Sequence, residues 1–158
     1  MINEKYAAVC DMAIASVPGI ERTGLKVLEL RDRYAKALMP LNEDNTNHVG
    51  IMYAGSLFTL GEFSGGIIHL VSMDFTKFVP IVKEVHIRFR RPAMTDITME
   101  VTMTEQEAER LQAEAEENGK ADYELHLELK DQSGETVAEV NGTWQIRKMP
   151  EGMGIQFK

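Results

Sequence analysis

Asn47-His48-Val49-Gly50-Ile51-Met52-Tyr53-Ala54-Gly55-Ser56-Leu57-Phe58-Thr59-Leu60-Gly61-Glu62-Phe63-Ser64-Gly65-Gly66 is almost uncharged, is punctuated by glycine, and holds one carboxylate, Glu62, among apolar side chains. Read as a helix from about Tyr53 to about Leu70, it places Gly55, Thr59, Glu62 and Gly66 at i, i+4, i+7 and i+11, one face of a 3.6-residue turn. The other faces carry Leu57, Phe58, Leu60, Phe63, Ile67 and Ile68, so the helix is apolar nearly all round and needs other structure to enclose it. Enclosure at least partly buries Glu62. Desolvation raises a carboxyl pKa and makes Glu62 a candidate general base or nucleophile near neutrality. The plainer alternative is a helix acid that reaches solvent or pairs with an arginine at a dimer interface.

On the N-terminal side, Tyr6, Val9, Cys10, Ala13 and Val17 recur at helical spacing and Pro18-Gly19 stops the pattern, which predicts a short helix over residues 3–16. From Leu25 to Leu41 the chain leans toward strand, interrupted at Arg31-Asp32-Arg33 by a turn or bulge and closed near Pro40. Residues 42–47 are rich in turn formers.

Beyond the apolar helix the period changes to two. Val85, Ile87 and Phe89 alternate with polar residues, as do Ile97, Met99, Val101 and Met103, then Leu125, Leu127 and Leu129, and a last strand runs from about Thr136 through Trp144 to Ile146. Four strands with one wet face predict an antiparallel sheet. Acidic, Ala-rich Glu105 to Gly119 reads as a short solvated helix or a long hairpin excursion, and Asp131-Gln132-Ser133-Gly134 as a hairpin turn. Gly65 and Gly66 are read as allowing close approach of helix and sheet, and the tail from Met149 to Lys158 as loose or used in contacts between subunits. A sheet whose apolar face needs a cover and a helix that needs wrapping satisfy each other. The expectation is an α+β hotdog fold, a curved antiparallel sheet around one central apolar helix. It forms a single domain over 1–158, with an N-terminal helix in 1–20, the hotdog core in 21–148 and the tail in 149–158.

Composition narrows the function classes. A formal net charge of −8 argues against nucleic-acid binding, and no apolar run approaches the roughly 18–20 residues needed to span a bilayer. The first residues lack the basic start and apolar core of a signal peptide, so a cytoplasmic protein is expected. The single cysteine, Cys10, reads as a small buried apolar side chain, and His69, His86 and His126 show no metal-ligand spacing, so no metal is expected. Arg88, Arg90 and Arg91 form the one dense basic cluster, either the solvated face of a strand or a site for a small anion.

Asn47-x-x-Gly50-x-x-Tyr53-Ala54-Gly55, with Leu60 and then Glu62 seven residues past Gly55, resembles the signature of hotdog-fold acyl-CoA thioesterases of the phenylacetate-pathway branch, Asn-x-x-Gly-x-x-His-Gly-Gly followed by an acid. Phe89-Arg90-Arg91-Pro92-Ala93 resembles the aromatic-x-x-Pro-Ala element of the family's next strand, and the likeness covers about residues 20–148. It is closest to less characterised thioesterase-like domains, some fused to acetyltransferases, that also carry aromatic-Ala-Gly-Ser.

The resemblance implies a homodimer or dimer of dimers (homotetramer), with the site at the dimer interface and an acyl-CoA or acyl-carrier thioester as substrate. Coenzyme A enters as part of the substrate, and no separate cofactor is expected. The Gly55 amide at the helix N-terminus would polarise the thioester carbonyl, Glu62 would be the nucleophile or would activate water, and Asn47 would position substrate or water. His48, Tyr53, Ala54, Ser56 and Thr59 are implied to line the substrate, with Arg90 and Arg91 meeting coenzyme A phosphates and Arg88 a weaker candidate. Read from residue type alone, Asn47 also suits a helix N-cap or a turn. Tyr53 stands where the family carries histidine, which keeps a second reading open: a non-catalytic acyl-CoA or fatty-acyl binding protein of the same fold. A hotdog dehydratase ranks last, because the histidine it would place beside an acid in the helix is missing.

Overall fold

The computed structural model describes residues 1–152, so the expectation for the tail falls largely outside the described residues. Met149, where the tail begins, donates its amide to the Lys77 carbonyl.

The chain opens with α1 (Glu4–Ala15), capped by the Asn3 side chain, which accepts from the Lys5 amide at 3.1 Å. Pro18-Gly19 does more than stop this helix. Proline is suited to a first helical position, and Pro18 starts a second, one-turn helix, α2 (Pro18–Glu21). Next come β1 (Lys26–Arg31) and β2 (Tyr34–Met39), a true hairpin with Asp32 and Arg33 at its turn and Arg33 at φ 59°. The central helix α3 spans Ala54–Ser72, and β3 (Phe78–Phe89) and β4 (Ile97–Thr102) follow. The acidic segment is a helix, α4 (Glu105–Asn118). Thr104 caps its start, Gly119 ends it at φ 83°, and Ala108, Leu111 and Ala115 are its buried stripe. Strands β5 (Lys120–Lys130) and β6 (Thr136–Lys148) complete the fold.

The six strands form one antiparallel sheet in the order β1-β2-β4-β5-β6-β3, two strands more than the alternating runs foretold. The interrupted stretch near Arg31 supplies the extra pair. Strand β3 also starts seven residues before Val85, because Phe78 to Val82 is an apolar run carrying Pro80 and shows no alternation. Proline is tolerated there because β3 is an edge strand with only β6 beside it.

The sheet wraps α3, as the hotdog fold requires, and α3 contacts strands from β2 through β6. Two glycines set how close they come. A Cβ on Gly61 would stand 2.8 Å from Val140, and one on Gly65 would stand 2.1 Å from the Trp144 indole nitrogen. Gly66 does not share this role, for a Cβ there meets open space. Trp144 is buried and stacks on Tyr123 at 6.3 Å between ring centres, and the Tyr123 hydroxyl donates to the Gly65 carbonyl at 2.8 Å. The helix is thus fixed to the sheet beside Glu62.

The two sheet edges differ. Alongside β1, the Asn3 amide donates to the Leu30 carbonyl at 2.7 Å and the Leu30 amide to the Met1 carbonyl at 3.2 Å, so the N-terminus partly covers that edge. Among the described residues edge strand β3 has no such cover, and it exposes Ile81, Val82 and Phe89. Among the described residues no helix is long and apolar enough to cross a membrane.

Candidate active site

Asparagine 45 holds the start of α3. Buried completely, it donates from Nδ2 to the carbonyls of Thr23 and Pro40, both at 2.8 Å, accepts the Ser56 hydroxyl at 2.9 Å on Oδ1, and takes the Tyr53 amide on its carbonyl at 2.7 Å. Residue order does not single out Asn45, because Asn47 stands two residues away in the same turn-rich segment. The signal available was Asn42, whose side chain accepts from the Asn45 amide at 3.0 Å and starts a single 3-10 turn over Glu43–Asn45.

Asn47 fills the turn role. Its Oδ1 accepts the amides of Val49 at 3.0 Å and Ile51 at 3.3 Å, which shapes the loop around Gly50 at φ 83°. The N-cap of α3 is Tyr53, and its side chain makes no capping bond. The first amides of a helix have no partner within it, so the Gly55 N–H falls at the positive end of α3. The Tyr53 ring lies directly across Gly55, at a distance no side chain at residue 55 would permit. Ala54 and His48 are exposed on either side of this loop.

The resemblance implies that Ser56 and Thr59 line the substrate. The Ser56 hydroxyl faces inward to Asn45, and the Thr59 hydroxyl bonds back to the Gly55 carbonyl at 2.9 Å, so each spends its proton within the chain. Arg90 pairs with Glu139 at 2.8 Å and Arg91 with Glu135 at 3.4 Å, both exposed. Among the described residues Arg88 makes no ion pair, whereas Arg90 and Arg91 each do.

Glu62 is half-buried, and desolvation raises its pKa above the ordinary carboxylate range. It lines a mostly apolar cleft of about 310 Å³ between α1, α2 and α3, walled by Val9, Ala13, Phe63, Ile67, Leu70 and Val79. Gly66 opens onto the same cleft, which accounts for the open space at its Cα. The polar row of α3 therefore runs from Gly55 at the exposed helix start, past Thr59, to Glu62 and Gly66 beneath α1. Behind Glu62 lies Tyr123, whose ionisation is opposed by burial and then by the Glu62 charge. Cys10 also borders the cleft, but burial pushes its thiol up to about 11, leaving it unreactive at neutral pH. Among the described residues no three His, Cys, Asp or Glu side chains gather as a metal site.

An antiparallel sheet around a central helix, with an acid on that helix and free amides at its start, defines a hotdog protein with a helix-borne site. Residues 6–146 match the family described as "Domain of unknown function (DUF4442)", and the chain belongs to that family. The match begins inside α1, so the helix covering Glu62 is part of the family's own domain.

Among solved structures, a Pseudomonas aeruginosa protein, PA5026, described as of unknown function and a probable thioesterase, is 41% identical, with 94% of this chain and 99% of that chain covered at a TM-score of 0.84. A thioesterase from Haemophilus influenzae shares the fold at 11% identity, covering 89% of this chain and 90% of that one, TM-score 0.68. PaaI of the Escherichia coli phenylacetic acid degradation operon does so at 14% identity, covering 92% of each, TM-score 0.63. No curated protein matches the chain.

Proposed function

We propose that this chain is a thioester hydrolase that uses Glu62 to activate water, with an acyl-CoA or acyl-carrier thioester as substrate. The observation that carries this reading is a carboxyl of raised pKa on the same helix row as the free Gly55 amide, at the border between an exposed helix start and an apolar cleft. Its likeness to a protein described as a probable thioesterase supports the same reading.

In this mechanism the thioester lies between two copies. Gly55 and Glu62 of one chain stand seven residues apart, about 10 Å along α3. The carbonyl oxygen beside Glu62 therefore takes the Gly55 N–H of a second copy, where that helix start stabilises developing negative charge. Glu62 accepts a proton from water as the oxygen bonds to the carbonyl carbon. Collapse of the tetrahedral intermediate breaks the C–S bond, and the proton held by Glu62 leaves with the thiolate. A raised pKa suits this exchange, because one group must both take and return the proton near neutral pH.

The working unit in this reading is a homodimer, in which the open β3 edges or the exposed apolar side chains around the start of α3 meet a second copy. Val49, Tyr53, Phe58 and Met94 are exposed near that start, a group of apolar side chains suited to burial. Arg88, with Arg90 and Arg91 beside it, supplies the charge for coenzyme A phosphates. A cytoplasmic setting accords with a buried, unpaired cysteine.

A second reading rests on Tyr53, whose ring covers Gly55 where the related signature has histidine: an acyl-thioester binding protein without turnover. Thiol release from short, medium, long and aromatic acyl-CoAs separates the two. Release supports the hydrolase, and saturable binding without release supports the binding protein.

A further inference from the structure

Beneath α1 the cleft is lined by Ser16, whose hydroxyl is spent on the Ala13 carbonyl, and by two polar side chains of α3, Glu62 and His69. They lie seven residues apart on one row of α3, which at 1.5 Å per residue is about 10 Å along the helix. His69 is 2% exposed, and its Nε2 is buried without a hydrogen-bond partner. A buried polar atom left unpaired destabilises the fold unless a ligand or water completes it. Both the cleft and the unpaired nitrogen are present in one chain, so neither depends on how copies associate.

The tautomer sets what the nitrogen accepts. Burial lowers the His69 pKa to about 4, so the ring is neutral at physiological pH, and the Phe78 backbone draws the ring's one N–H toward itself. Nε2 then presents a lone pair, and the group that completes it must donate a hydrogen bond.

We propose, resting on the thioesterase reading, that the cleft holds the acyl chain of the substrate and that His69 selects chains bearing a hydroxyl far from the thioester. An extended chain advances about 3.3–3.6 Å per three bonds, so 10 Å corresponds to eight or nine bonds and to a medium-length hydroxyacyl group. The apolar walls take the methylenes, and His69 Nε2 accepts the terminal hydroxyl. A volume of about 310 Å³ falls at the lower end of the range for small-molecule sites, which excludes bulky acyl groups. Pairing the buried nitrogen makes the hydroxyl a specificity element, because a plain chain leaves Nε2 unsatisfied.

The test compares kcat/KM for 8-hydroxyoctanoyl-CoA and octanoyl-CoA, and for the ten-carbon pair, in the wild type, His69→Phe and His69→Gln. The wild type should favour the hydroxylated partner of at least one pair by tenfold or more. His69→Phe should reduce that ratio to one or below, and His69→Gln, which keeps an acceptor, should restore part of it. No wild-type preference in either pair overturns the proposal, as does a preference that survives in folded His69→Phe. If no thioester is turned over, calorimetry with 8-hydroxyoctanoate and octanoate separates the two ideas. Tighter binding of the hydroxy acid upholds the cleft assignment while the hydrolase reading fails, and equal or absent binding overturns the assignment.

Discussion

The ring of Tyr53 lies so close over Gly55 that a Cβ at residue 55 would stand 2.3 Å from Tyr53 Cε1. Gly55→Ala must displace an exposed ring, which costs little, while alanine is better than glycine in a helix by up to about 1 kcal/mol. The variant should melt no lower than the wild type yet lose at least tenfold in thiol release, because the ring and the amide it covers no longer keep their arrangement. A thermal melt beside an activity assay checks both halves.

Adjacent glycines should respond in opposite directions. Gly65→Ala drives a methyl into the Trp144 indole, and overpacking of this kind costs about 1–3 kcal/mol, visible as a lower urea midpoint. Gly66→Ala meets open space and should be neutral or stabilising by up to about 1 kcal/mol. Both fall on one turn of α3, so urea melts of the two variants separate packing from helix propensity.

Removing Asn45 should loosen the helix start. Asn45→Ala strands the Ser56 hydroxyl and the Pro40 carbonyl, at a cost of roughly 1–3 kcal/mol for each group left unpaired, while the Thr23 carbonyl keeps the Asn42 side chain as donor. The melting temperature should fall by several degrees, and Ser56→Ala in the same background should recover part of the loss.

The two titrating groups of the cleft give opposite pH signatures. Glu62 holds its proton more tightly folded than unfolded, so its burial lowers stability as pH rises from the unfolded carboxyl pKa through the higher folded one. Glu62→Gln should therefore stabilise the protein at pH 7 and have little effect near pH 4. His69 is pulled down from 6.5 to about 4, so the unfolded chain binds the extra proton in that window and stability falls as pH drops through it, by roughly 3 kcal/mol in all. Urea melts from pH 4 to 7.5 for the wild type, Glu62→Gln and His69→Phe check both signs.

Much of this was readable from residue order. The apolar helix, its acid and the alternating strands follow from periods of 3.6 and 2, which depend only on local spacing. The role of Gly65 could be read because glycine in an apolar helix has few other uses. Gly66, Ser56 and Thr59 could not be assigned, since which side of the helix meets the sheet, the Asn45 loop or the cleft is decided by tertiary packing. The beginning of β3 was missed because an edge strand lacks the buried face that creates alternation, and Asn45 because a turn-rich segment does not reveal which of its asparagines goes inside. The His69 acceptor was invisible for a related reason: ligand spacing is sought between histidines, whereas its partner on the row is an acid two turns away.

The central claim is that Glu62 performs the chemistry. The most direct measurement is thiol release by the wild type and Glu62→Gln on the best substrate of the acyl-CoA panel, with both proteins confirmed as folded by thermal melt. General base removal should lower kcat by roughly 100-fold or more, with the variant at least as stable as the wild type at neutral pH. Wild-type turnover retained in Glu62→Gln would contradict the account.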